Sequence, residues 1–253
     1  NNMIGLLDFD GYICKAFYAS IARGEDDFEE MVKVLDELTQ AALEKLEDTF
    51  GSGELIKVIS GHTYKKDVYP SYKSKRKRND DLGAFREYIK LTYDDLVVVP
   101  NLEADDVITM MADDIGRCIV FSDDKDLRYY HPQYCKININ EKIEREIDHK
   151  KKQLIQLLVG DKEDSIAGIP KVGEKTAEKL LDMYGWNVDS VIEIYKDKRI
   201  TIDECLKNLL LISPIRKENV IDYKYGLDDS TTLNNILGHF RYWNEKVTEI
   251  YSK

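Results

Sequence analysis

Short apolar runs alternate along this chain with stretches of helical periodicity, and that alternation constrains its fold more than any other feature. "MIGLLDFD" at the start, "ELIKVIS", "DLVVVP" and "RCIVFS" read as strands, the third stopped by Pro100. Between the first two, Met31, Val34, Leu35, Leu38, Ala42 and Leu46 recur at helical spacing before the breaker "GSG". "AFREYIKL" and "EADDVITMMADDI" read as further helices, and "QYCKINI" as a further strand. Strands alternating with helices imply an α/β fold, with a mostly parallel central sheet and helices on both faces. In such sheets the site lies beyond the carboxyl ends of the strands.

From about residue 150 the pattern turns helical, with "KKQLIQLLVG", "GEKTAEKLLDMYG", "VDSVIEIYK" and "TLNNILGHF". The expected organisation is an α/β core over 3–148, carrying a basic segment at 65–80, and a helical region over 149–253. No Pro/Gly/Ser-rich linker separates them.

Acids gather where the strands end. Asp8 and Asp10 follow the first strand, Glu103, Asp105 and Asp106 the third, and Asp124 and Asp126 the fourth. Period-two geometry puts Asp8 and Asp10 on one face of an extended segment, and likewise Asp124 and Asp126. Asp161 and Asp164, in "VGDKEDSIAG", are three apart and share a helical face or one turn. Each cluster alone has an ordinary reading. Acids suit a helix N-terminus, and Asp123 reads most simply as a solvated turn residue. Four clusters at equivalent places in the topology point instead to divalent cations, because gathered carboxylates repel unless something neutralises them. Oxygen donors without His or Cys select Mg²⁺ or Mn²⁺. Two such ions about 4 Å apart suit phosphodiester cleavage.

Composition narrows the remaining classes. In 253 residues, 43% apolar content fills a core, and 34% charged residues suit a soluble protein. No apolar run approaches the roughly 18 residues of a membrane span. The start "NNMIGLLDFDG" has no basic region ahead of an apolar run, so no signal peptide is expected. Cys14, Cys118, Cys135 and Cys205 form no CxxC pair, which disfavours structural zinc and suits a reducing, cytoplasmic setting. The net charge of −11 would disfavour nucleic acid if the charge were uniform. It is segregated, since "KKDVYPSYKSKRKR" holds seven basic residues and one acid.

"LLDFDGYICKAFYAS", "YPSYKSKR", "EADDVI", "SDDKDL" and "GDKEDSIAGIPKVGEKTAEKLL", in this order and spacing, resemble the 5′-nuclease family. That family includes flap endonucleases, bacteriophage 5′→3′ exonucleases and the 5′-nuclease domain of bacterial DNA polymerase I. The resemblance implies a phosphodiester hydrolase using two Mg²⁺ or Mn²⁺ ions. Asp8, Glu103, Asp105, Asp106 and Asp124 would form the first metal site, and Asp126, Asp161 and Asp164 the second. Asp8, not Asp10, matches the family's first aspartate, because "KAFYA" then falls at the usual distance. Asp10 is expected to support the site without binding a cation directly. One departure stands out: relatives usually carry an aspartate at the end of the second strand, where this chain reads Ser60, Gly61, His62.

Read alone, the basic run is either a solvated face or a surface that attracts phosphates. In the family the matching stretch forms an arch over the site, and "YKSKR" makes Lys73 and Arg76 candidates for contacting the scissile phosphate. Lys65, Lys66, Lys75 and Lys77 are candidate DNA contacts. Tyr69 and Tyr72 either stack on an unpaired base or pack beneath the loop. "SIAGIPKVGEKTAEKLL" reads as a turn between two helices. Gly168 and Gly173 permit close backbone approach, Pro170 stiffens the turn, and Gly173 precedes a helix whose free N–H groups can face a phosphate. The family counterpart is a helix-hairpin-helix-type element, here over 154–184, that grips duplex backbone without reading bases. Lys171, Lys175 and Lys179 would support it, and the backbone at Ile169 and Val172 would hold a K⁺ ion.

The implied substrate is DNA with a 5′ end, flap or nick, or an RNA/DNA hybrid. The implied form is a cytoplasmic monomer of phage or bacterial origin. A PIN-like ribonuclease would share the acidic core but not the third acidic pair or the hairpin. A non-catalytic DNA-binding relative is suggested only by the residues at 60–62.

Overall fold

The structure, a computed structural model, describes residues 2–130, 134, 135, 137, 149–215 and 229–253. In chain order its elements are β1 (Met3–Asp8), α1 (Phe9–Ala22), α2 (Phe28–Phe50), β2 (Gly53–Ile59), α3 (Tyr64–Val68), α4 (Asp80–Thr92), β3 (Leu96–Val98), α5 (Ala104–Ile115), β4 (Cys118–Phe121), α6 (Lys125–Tyr130) and β5 (Tyr134–Cys135). There follow α7 (His149–Val159), β6 (Gly160–Asp161), β7 (Ile166–Ala167), α8 (Glu174–Tyr184), α9 (Val188–Asp197), α10 (Ile202–Ile212) and α11 (Asp229–Ser252). They fall into two compact units, Asn1–His62 with Lys77–Ile147, and Thr63–Arg76 with Asp148–Lys253.

The first unit is built on a sheet of order β3-β2-β1-β4-β5 in which every pairing is parallel. Strand β1 lies at its centre, with Leu6 opposite Ile56 on one side and Val120 on the other. Leu6 and Leu7 point to opposite faces, and both are fully buried. Helices therefore cover both faces, and β1 has to read as a continuous apolar run. The chain leaves β1 for β2 and β3 on one side, then crosses to β4 on the other. The crevice at the carboxyl ends of β1 and β4 is thus the topological switch point of the sheet.

Four of the sequence-read strands and the helices at 28–50, 80–92 and 104–115 are present. Two local readings are corrected. The chain turns into α1 at Phe9, so Asp8 ends a strand while Asp10 lies in the first helical turn, and the two do not share an extended face. Helix α6 likewise begins at Lys125, which takes Asp126 out of an extended segment with Asp124. Helix α1 is masked in the sequence because Phe9, Tyr12, Ile13, Ala16 and Phe17 line its buried face while Cys14, Tyr18 and Ile21 stand on the other, so little polarity marks the period. Of "QYCKINI", Tyr134–Cys135 form β5, and most of the remainder lies outside the described residues.

The second unit packs α7, α8, α9, α10 and α11 around a core that includes Leu158, Leu181, Ile192, Leu209 and Trp243. Residues Thr63–Arg76 fold with this unit and not with the α/β core: Lys73 N–H donates to the Asp164 carbonyl at 2.9 Å, and Tyr64 meets Phe240 edge-on. Between α7 and α8 the chain forms the short antiparallel pair β6–β7. Gly168 sits so close to the end of α7 that a Cβ there would lie 2.1 Å from the Val159 carbonyl oxygen. Its close backbone approach is thus to its own chain. Among the described residues no helix is long and apolar enough to cross a membrane.

Candidate metal centre

In the first unit, carboxylates from three parts of the chain reach the carboxyl ends of the strands. Asp8 closes β1, Glu103, Asp105 and Asp106 open α5, and Asp124 and Asp126 flank the start of α6. The hydroxyl of Ser122, a fully buried residue at the end of β4, donates to Asp8 Oδ2 at 2.6 Å and accepts the Asp124 N–H at 2.9 Å. The Asp126 N–H in turn donates to Asp124 Oδ1 at 2.8 Å. Asp123 is exposed and accepts the Ile137 N–H.

Two properties show that these residues fit a divalent cation. Glu103, Asp105 and Asp106 each present an oxygen within 4.8 Å of the others, an all-oxygen donor set of the kind hard cations take. Glu103 and Asp106 are buried, where like charges repel most strongly. Asp8 adds the second property. Its desolvation pushes the carboxyl up to about 8, with Asp10 raising it further, and Asp124 and Asp105 acting the same way against the Ser122 hydrogen bond. An acid held there favours its charged form only when positive charge arrives.

Asp10 faces elsewhere. Its Oδ2 accepts the Ser60 N–H at 2.8 Å, and its Oδ1 accepts Arg86 Nε at 2.6 Å. Arg86 and Ser122 were not foreseen in the sequence. Ser122 carries a signal, being a small hydroxyl between a strand and a run of acids. Arg86 looks like any charged residue of an amphipathic helix.

In the second unit, Asp161 ends β6 and Asp164 lies three residues on, and both are buried. Asp161 Oδ1 accepts the N–H groups of Glu163 and Asp164, so the pair shares one tight turn, one of the two sequence alternatives. Asp164 gathers the basic segment around itself. Tyr72 donates its hydroxyl at 3.3 Å, Arg76 pairs with Oδ1, and Lys73 Nζ stands 3.9 Å from Oδ2. Lys73 adopts a left-handed backbone (φ 54°), as does Ser165 next to Asp164 (φ 63°). Behind this turn, buried Asn208 donates to the Ala167 carbonyl and the Tyr195 hydroxyl, and Tyr195 donates to the Leu157 carbonyl.

The other expected contacts divide by exposure. Lys66, Lys75, Arg76, Lys77, Pro170, Lys171, Gly173, Lys175 and Lys179 are exposed, Tyr69 and Val172 half-buried, and Ile169 buried. Tyr72 is 2% exposed, with Lys73 Nζ 4.9 Å from its ring centroid. Its ring packs beneath the loop and offers no face to a base, which corrects the stacking alternative. Lys65 is 4% exposed, its Nζ 5.7 Å from the same ring centroid, so it belongs to the interior and not to a backbone-contacting surface.

Comparisons with known proteins follow the same pattern. The family described as "5'-3' exonuclease, N-terminal resolvase-like domain" matches residues 3–156. A 5′-3′ exonuclease of Aquifex aeolicus is 29% identical over 52% of this chain, a stretch that is about half (52%) of that protein. A 5′-3′ exonuclease of Buchnera aphidicola is 23% identical over 88% of this chain and 85% of its own. DNA polymerase I of Rhizobium leguminosarum is 30% identical over 53% of this chain and 15% of the polymerase. Among solved structures, the bacteriophage T5 D15 protein co-crystallised with metal ions superposes with a TM-score of 0.61 at 14% identity, covering 98% of this chain and 99% of that one. The catalytic core of Rad2 in complex with DNA substrate gives 0.52 at 13% identity, covering 99% and 91%. These structures share the fold, and the family match extends over more than half of the residues. The chain therefore belongs to the 5′-3′ exonuclease family defined by that N-terminal domain.

Proposed function

We propose that this protein is a divalent-metal-dependent 5′-nuclease that hydrolyses phosphodiesters of DNA near 5′ ends, flaps or nicks. The observation that carries the reading is the acidic set at the strand ends, where Glu103, Asp105 and Asp106 bring oxygens within 4.8 Å of one another and desolvation pushes Asp8 up to about 8. Asp8, Glu103, Asp105, Asp106 and Asp124 would hold one Mg²⁺ or Mn²⁺, and Asp126, Asp161 and Asp164 a second. Bound cations of this kind polarise a phosphodiester and lower the pKa of bound water.

The chain's own residues then do the rest. Ser122 orients Asp8 and fixes the backbone at Asp124. Lys73 and Arg76 bring positive charge to a phosphate and stabilise the charge that builds as it is attacked. Their ties to Asp164 and the left-handed turn at Lys73 fix where they start from. Lys66, Lys75 and Lys77 attract the strand electrostatically. The exposed face around Gly173, Lys171, Lys175 and Lys179 contacts duplex backbone, which makes recognition depend on structure and not on sequence. A K⁺ ion at the Ile169 and Val172 backbone belongs to the same proposal.

The decisive experiment uses a 5′-labelled flap duplex with added Mg²⁺, Mn²⁺ or EDTA. Metal-dependent release of short 5′ products supports the reading. Cleavage of single-stranded RNA alone would replace it with a ribonuclease, and duplex binding without cleavage in either metal would leave only a DNA-binding protein.

A further inference from the structure

At the end of β2, where the family pattern has an aspartate, Ser60 is held through every polar group it has. Its N–H donates to Asp10 Oδ2 at 2.8 Å, and its carbonyl accepts the Arg86 guanidinium. Its hydroxyl oxygen accepts the Ala104 N–H at 2.9 Å. Ala104 is the first residue of α5, and Glu103 at the N-cap makes no side-chain capping bond. Ser60 therefore caps α5 from another strand, satisfying one of the donors that a helix start leaves open. The next residue adds a bond in the opposite sense, Gly61 N–H to the Leu102 carbonyl at 2.9 Å. Only glycine fits there, because a Cβ would lie 2.7 Å from the Val99 carbonyl oxygen. Residues 60 and 61 thus pin the turn that leads into Glu103, Asp105 and Asp106.

We propose that Ser60 and Arg86 are positioning residues for the acidic first turn of α5: Ser60 caps the helix, and the Asp10–Arg86 pair fixes Ser60. The inference rests on the reading of that turn as a divalent-cation site. It explains two facts together. Asp10 has both oxygens committed to the clamp and is thereby directed away from a cation. The position that lacks a carboxylate is given over to aiming three others. Partners that orient metal ligands typically govern affinity about 10–100-fold.

The test is Mn²⁺ titration of the protein by calorimetry, together with hydrogen exchange at the start of α5 and melting in EDTA. For Ser60→Ala we expect one class of Mn²⁺ sites to weaken by about tenfold or more, with faster exchange in the first turn of α5. Ser60→Thr keeps the hydroxyl and should restore both. Arg86→Gln should behave like Ser60→Ala, and Arg86→Lys should recover part of the loss. A purely structural role would lower the melting temperature while leaving the Mn²⁺ affinity of the folded protein unchanged. Wild-type affinity in Ser60→Ala, or failure of Ser60→Thr to restore it, would overturn the inference alone. A wild-type protein that binds no Mn²⁺ at millimolar concentration would overturn the metal-centre reading and the inference with it.

Discussion

The two units handle the cost of gathered carboxylates in different ways. Around Asp8 in the first unit, the charged neighbours that shift its proton affinity are all acids, and desolvation adds to them. Around Asp164 in the second, the neighbours are Arg76, Lys73 and the Tyr72 hydroxyl. At Asp8 the repulsion stays in place, and at Asp164 it is offset from within the protein. The difference bears on function, because a set that keeps its repulsion gains the most from an arriving cation. The offset set ties the basic segment to its own unit and gives Lys73 and Arg76 a defined starting place.

The largest test of this contrast is Asp8→Asn. With this desolvated acid removed, cleavage of a 5′-flap duplex should fall by more than the roughly 100-fold typical of losing a supporting partner. Duplex affinity in filter binding should persist. Equal loss of both would make Asp8 a structural residue. Next in size is Lys73→Ala. A positioned ammonium stabilises developing charge more than the ground state, so the single-turnover rate should drop by about 100-fold with little change in affinity. Lys75→Ala and Lys77→Ala should instead weaken binding in a salt-dependent way. If Lys73→Ala behaves like Lys75→Ala at two salt concentrations, the segment only steers.

What the sequence revealed follows the range of the interactions involved. The parallel sheet was legible because β1 and β4 are largely buried runs and β2 ends in one, and their apolar character is local. The strand-end acids were legible for the same reason. The faces of Asp8 and Asp10 were misread because α1 starts one residue after β1, and a helix with Cys14, Tyr18 and Ile21 on its outward face shows a weak stripe. The clamp at Ser60 was invisible because its partners lie 50, 26 and 44 residues away. The interior places of Lys65 and Tyr72 were hidden likewise, since a Lys/Tyr-rich run reads as surface until Asp164 and α11 are in position.

The second unit's inward use of its charges can be tested by pH at His239. This residue is fully buried, its rings of contact including Trp243, and burial pushes its imidazole down to about 3, with nearby Lys65 acting the same way and a backbone contact at Leu210 opposing. A folded pKa below the unfolded value near 6.5 means that the neutral ring favours the fold. That contribution is complete above pH 6.5 and is lost as pH falls toward about 3. Wild-type stability should therefore decline, relative to His239→Phe, by on the order of 1 kcal/mol per pH unit below 6.5. Urea denaturation of both proteins between pH 7 and pH 4.5 (roughly the window where this linkage acts) measures the difference. Parallel slopes would show that His239 binds its proton as readily in the folded protein as in the unfolded chain.

The smallest effect tests the comparison most directly, because it is one of sign. Asp8→Asn removes an acid whose charge the fold opposes, so in EDTA the variant should be more stable than wild type, by about 1 kcal/mol or more. That gain is the usual trade at a site built for function. Asp164→Asn removes the charge that pairs with Arg76 and Lys73 and weakens the hydrogen bond from Tyr72. Arg76 is half exposed, which screens the pair, so the loss should be about 0.5–1 kcal/mol. Saturating Mg²⁺ should then reorder the series, stabilising wild type more than Asp8→Asn, because the cation binds the folded state through the missing carboxylate. Chemical denaturation of the three proteins with and without Mg²⁺ gives all four differences. If both substitutions shift stability in the same direction in EDTA, the two acidic sets do not differ as their neighbours indicate, and the division between stored and offset repulsion fails.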